Sequence, residues 1–204
     1  MPKIHDVQQG SVQWLQLHVG KPTASEFNNL MTPEFKARDG ETPKTYLCKK
    51  VAEAWRNAPL MGFSTFSVEQ GQMLEEEALP WFEVMHDDLD LQRVGFVESD
   101  DGKCGCSPDG LIGKDEGLEV KCPFAETQVK YLLDGKVPKD YLPQVHGSLY
   151  VTGRKRWRFL SYRRGFPALE VTVERDEEIM SKIATILSGF YGKFDEAMDK
   201  LRNR

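Results

Sequence analysis

Apolar and polar residues alternate most regularly between Arg156 and Tyr162, where Trp157 and Phe159 are interleaved with arginines. A period of two predicts a β-strand, and Leu169, Val171 and Val173 mark its partner. Leu118, Val120 and Cys122 alternate with Glu119 and Lys121 in the same way, which predicts a strand over about 117–122. Further strands are expected over about 91–98 and 104–112. The period then lengthens near the C-terminus: Ile179, Ile183, Ile186, Phe190 and Phe194 form one stripe on a helix of about 176–201. That stripe suits the core, although part of it could serve an interface between copies. Shorter helices are expected over about 11–19, 44–57, 124–133 and 139–152. Thr23-Ala24-Ser25-Glu26 and Ser67-Val68-Glu69-Gln70 fit capping boxes, the second opening a helix of about 68–86. Residues 31–43, with Pro33, Gly40 and Pro43, read as a loop. Trp55, Trp81 and Trp157 are expected in the core rather than as platforms for bases. No repeat or compositional break divides residues 1–204, so a single α/β domain is expected.

Composition changes this picture little. With 40% hydrophobic and 29% charged residues in 204, the chain is long enough for one well-developed core. No apolar run approaches the ~20 residues that a membrane helix needs, and the first residues lack the pattern of a signal peptide. A cytoplasmic protein is expected, with no membrane partner. Cys104, Cys106 and Cys122 lack the second pair of closely spaced thiols usual at structural zinc sites, so reduced thiols are expected.

Charge is more informative by placement than by its sum of −5. Glu75 to Asp101 is rich in acids, with Arg93 as an exception. Arg154, Lys155, Arg156, Arg158, Arg163 and Arg164 crowd a second segment with no acid between them. An enzyme handling both metal and phosphate needs patches of both signs. Either patch could equally be a solvated face.

The strongest chemical signal is Ser107-Pro108-Asp109-Gly110 followed by Leu118-Glu119-Val120-Lys121. Leu111-Ile112 ends one strand, residues 113–117 make the turn, and 118–122 return. Glu119 and Lys121 then share one face, and Asp109 lies near them on the opposing strand. Two carboxylates beside an ammonium make a hard-oxygen site for Mg²⁺ with a cation at hand to orient water or offset charge. An exposed acidic hairpin with a chance ion pair is the simpler alternative. Gly71 and Glu75 lie four apart on one helical face; Glu75 could also be one of three surface glutamates in a row.

The string SPDGLIGKDEGLEVKCPF, Ser107 to Phe124, resembles the catalytic segment of the lambda exonuclease and YqaJ-like viral recombinase nucleases, members of the PD-(D/E)xK superfamily. Trp14, the run Thr23 to Glu26, Gly71 to Glu75, Gln144 and Glu174 to Glu177 extend the likeness in order and spacing. The resemblance implies a restriction-endonuclease-like fold, a central mixed β-sheet flanked by helices. It implies a 5′→3′ exonuclease dependent on Mg²⁺ or Mn²⁺, acting on linear double-stranded DNA and leaving 3′ overhangs for single-strand annealing recombination. Asp109, Glu119 and the Val120 carbonyl would hold one or two ions, with Lys121 catalytic and Glu75 auxiliary. A 5′-phosphate pocket would include Ser25, Ser107 and Gln144, with His18 where the family has an arginine and Lys21 close by. Ser25 could equally be a helix cap, Gln144 a surface amide and His18 a half-buried histidine. The family also implies a ring-shaped homotrimer and a single-strand annealing protein as partner. The rival readings are an endonuclease using the same hairpin and a non-catalytic DNA-binding protein; the intact Asp109, Glu119 and Lys121 disfavour the latter.

Overall fold

The period-two segments form the middle of the larger of two sheets in the computed structural model, which describes residues 1–60 and 77–204. In chain order the elements are β1 (Lys3–His5), α1 (Val12–Leu17), a 3-10 turn (Ala24–Asn29), α2 (Glu41–Arg56) and α3 (77–85). Then come β2 (Leu91–Gln92), β3 (Phe96–Glu98), β4 (Gly105–Cys106), β5 (Gly110–Ile112) and β6 (Glu116–Lys121). The chain ends with α4 (Ala125–Asp134), a 3-10 turn (Lys139–Tyr141), α5 (Leu142–Thr152), β7 (Arg156–Ser161), β8 (Leu169–Glu174) and α6 (Glu177–Arg202).

The five-stranded sheet runs β2-β5-β6-β7-β8 and is mixed, because β6 and β7 are parallel while the other pairs are antiparallel. A three-stranded sheet, β1-β3-β4, stands beside it. Strand alternation then divides the core in two. Leu111, Trp157 and Phe159 face α5 and α6, where Val145, Leu149, Ile183 and Phe190 are buried. Ile112, Leu118, Val120 and Leu160 face the other way and pack on Ala78, Leu79 and Phe82 of α3. Helices thus cover both faces of the sheet that carries the hairpin. On α6, Asp176 caps the first turn by accepting from the Glu178 and Ile179 amides, and Ile183 and Phe190 of the expected stripe are buried.

Several local expectations are corrected. The segments 91–98 and 104–112 are each broken, and their halves belong to different sheets. Pro108 has no amide to continue a ladder. At Gly95 the backbone passes so close to Val7 that a Cβ would lie 1.8 Å from its carbonyl oxygen. Helix α2 begins at Glu41, inside the expected loop; Pro43 lies in its first turn, where no intrahelical bond needs its amide. The first capping box does not close either. Thr23 precedes a 3-10 turn without a side-chain-to-amide cap bond; its hydroxyl donates to the Glu26 carboxylate (3.3 Å), which also meets Tyr46, Lys49 and Lys50 on α2. Trp157 is fully buried, but Trp55 is 53% exposed. The Ser67–Gln70 capping box, Gly71 and Glu75 lie outside the described residues.

Candidate active site at the open end of the β5–β6 hairpin

Asp109 stands where Pro108 interrupts the strand, and its own groups extend the ladder. Its amide donates to the Leu118 carbonyl (3.1 Å), and its Oδ2 accepts from the Val120 amide at 2.5 Å. The carboxylate is therefore fixed against the edge of β6. A strand residue's N–H and C=O point to the same edge, so the Val120 carbonyl opens on the side of Asp109.

Glu119 is opposite Phe159 in the parallel register and is only 3% exposed. Lys121 Nζ and Gln144 Nε2 both donate to its Oε1, each at 2.5 Å. The Lys121 ammonium also lies 5.3 Å from the centre of the Tyr141 ring, which packs on Phe159. Burial pushes the Glu119 carboxyl up to about 7: Lys121 opposes that rise, the Asp109 carboxylate adds to it, and the Lys121 and Gln144 hydrogen bonds offset only part. Burial alone would lower the Lys121 pKa, but the charges of Glu119 and Asp109 overcome it and hold the ammonium well above the usual lysine range.

This set fits a divalent cation on chemical grounds. Its donors are hard oxygens, and burial, with a smaller push from the Asp109 carboxylate, makes the Glu119 negative charge costly until a cation joins it. No group of three or more His, Cys, Asp or Glu side chains suited to a metal occurs among the described residues. Mg²⁺ suits so small a protein donor set because it retains several waters.

The remaining expected residues fall into two groups. Ser25 and Gln144 line one cavity of about 170 Å³ with Asn28, Tyr131, Asp140 and Tyr141. Ser107 and His18 instead gather around Trp14. Its indole donates to Ser107 Oγ (2.8 Å), and its ring lies 4.0 Å from that of His18. His18 is also against Phe96, and burial lowers its pKa, so it is neutral at pH 7. Lys21, close to His18 in sequence, is paired with Glu98. Tyr141 was not singled out from sequence. Its one signal is that it precedes Gln144 by three residues, one helical turn.

The basic segment serves the far end of the hairpin. Arg154 donates to the carbonyls of Ile112, Gly113 and Glu116, while Arg156 and Arg158 pair with Glu116 and Lys155 with Asp115. Arg164 pairs with Glu77.

The model of the YqaJ-like viral recombinase domain matches residues 13–155. Among solved structures, the chain is similar to an alkaline exonuclease from Laribacter hongkongensis, with a TM-score of 0.85 at 23% identity over 95% of this chain and 97% of that one. The structure of the same exonuclease in complex with dAMP gives 0.85 at 24%, with the same coverage of 95% and 97%. A phage-related exonuclease from Haemophilus somnus 129PT gives 0.67 at 14%, over 92% and 99%. At these identities the likeness is one of fold: helices around a mixed five-stranded sheet. No curated protein matches the chain in sequence.

Proposed function

The chain belongs to the YqaJ-like viral recombinase family, and from that premise we propose that it is a nuclease of the lambda exonuclease type. It digests one strand of linear double-stranded DNA from the 5′ end, with Mg²⁺ or Mn²⁺, and leaves a 3′ overhang for strand annealing. The observation that carries this reading is the meeting of Asp109, a buried Glu119 and a charged Lys121 at one end of a hairpin.

Asp109, Glu119 and the Val120 carbonyl would hold the ion, with Glu75 as an auxiliary group. When bound, a divalent ion polarises a phosphodiester and lowers the pKa of bound water. Asp109 is held in place by the Val120 amide, and Glu119 by Lys121 and Gln144, so neither has to reorganise as the reaction proceeds. Lys121 is carried as an ammonium, which suits it to orient the attacking water and offset phosphorane-like charge rather than to take a proton. Ser25 and Gln144, in their shared cavity, would receive the 5′-phosphate. Ser107 and His18 lie around Trp14 and complete the expected set. A related fold is seen with dAMP, which fits release of nucleoside 5′-monophosphates. A homotrimer enclosing the duplex and an annealing protein on the 3′ strand complete the proposal. A cytoplasmic location is part of it; no described helix is long and apolar enough to cross a membrane.

Substrate topology tests this reading. Linear duplex should be degraded with Mg²⁺, covalently closed circles should survive, and Asp109→Ala should lose the activity. Rapid cutting of closed circles would instead identify an endonuclease.

A further inference from the structure

The nuclease reading requires cations that meet the DNA backbone, yet most of the basic segment is engaged at the hairpin's turn or with Glu77. One cation of the acid-rich segment has a different position. Arg93 lines a cavity of about 240 Å³ together with Asp6, Gln8, Gln9, Leu79 and Asp109. It is the one cationic residue among the described lining residues, and Asp6 adds a second carboxylate beside that of Asp109. Any anion entering this cavity therefore depends on Arg93 for its protein-borne positive charge.

The cavity is built rather than incidental. The Gln9 amide donates to the carbonyls of Val94 and Pro108, both at 3.2 Å, and so ties the N-terminal segment across the two strand breaks. Arg93 and Asp109 each stand beside one of those breaks. The Arg93 side chain is 53% exposed, and its hydrogen bonds run from Nη2 to the two Glu83 oxygens, at 3.3 and 3.2 Å. An exposed pair of this kind adds little stability. The Glu83 carboxylate meets a single guanidinium nitrogen and does not engage the two-nitrogen fork that a phosphate could take.

We infer that Arg93 is a phosphodiester-binding residue, which exchanges Glu83 for a backbone phosphate of the DNA strand being cut at Asp109. The inference rests on the nuclease reading. Glu83 then acts as a competitor for the phosphate, so the two partners of one ion pair have opposite effects on substrate binding. A pair that merely ties α3 to the sheet edge would give both substitutions the same direction of effect.

The test measures KM and kcat for Arg93→Gln and Glu83→Gln on 5′-phosphorylated linear duplex at several salt concentrations. Arg93→Gln should raise KM about tenfold, as expected for one charge-assisted contact, with kcat little changed. The slope of log affinity against log salt should shrink by about 1. Glu83→Gln should lower KM. If both variants move KM the same way, or Arg93→Gln leaves KM and the salt slope unchanged while wild type digests DNA, Arg93 is not a phosphate ligand. If wild type gives no Mg²⁺-dependent digestion, or Asp109→Ala digests as well as wild type, the underlying nuclease reading fails and takes this inference with it.

Discussion

Glu119 holds the site's electrostatic strain. Its folded pKa of about 7 lies above the ordinary glutamate value of 4.5, so the folded state binds its proton more tightly than the unfolded chain does. The associated stability is fully present below pH 4.5 and is lost as pH rises through about 7. The shift corresponds to roughly 3 kcal/mol. Metal-free protein should therefore lose thermal stability between pH 5 and 8, and the loss should be smaller in Glu119→Gln. Saturating Mg²⁺ should restore the wild type above pH 7, a result readable in Tm without any turnover. Equal pH dependence in both proteins would contradict this assignment. Ser25 makes a separate prediction. Duplex with a 5′-phosphate should be digested faster than duplex with a 5′-hydroxyl, and Ser25→Ala should reduce that preference; equal rates in wild type would remove the pocket. The carboxylates and Lys121 were legible in the sequence because their spacing is local to one hairpin. Gln144 bonding to Glu119 was not, since that contact joins α5 to β6 across 25 residues.

At the scale of elements, the hairpin depends on close backbone approach as much as on its side chains. Gly117 pairs with Trp157, and a Cβ there would meet the Trp157 ring at 2.3 Å. Because Trp157 is fully buried and cannot move freely, Gly117→Ala should cost about 1–3 kcal/mol through overpacking. A urea-unfolding midpoint measures this; an unchanged midpoint would mean that the ring has room to shift. The strands of this hairpin were readable because alternation and glycine punctuation are short-range signals. The division of 91–98 and 104–112 between two sheets was not. It depends on contacts such as Gly95 against Val7, which lie far apart in sequence. Glu26 illustrates the same limit: its local pattern is a capping box, but its carboxylate pairs with Lys49 and Lys50 of α2 rather than with the Thr23 amide. Burial opposes their pull on its pKa, yet the two lysines hold it at about 2.

For the whole molecule, charge placement says more than the net charge of −5. The basic segment, readable from sequence as either a phosphate-handling patch or a solvated face, mainly braces the hairpin's turn, whereas Arg93, in the acid-rich segment, lines the cavity at Asp109. Sequence could count these charges but could not tell which were already paired, because pairing is decided by tertiary neighbours. The central claim is that this hairpin drives metal-dependent digestion from a 5′ end. Linear duplex labelled separately at its 5′ and 3′ ends, digested with Mg²⁺ alongside Asp109→Ala, tests that most directly. Early release of the 5′ label, late loss of the 3′ label and no digestion by the variant are expected. Early release of the 3′ label would contradict the polarity, and undiminished digestion by Asp109→Ala would contradict the site itself.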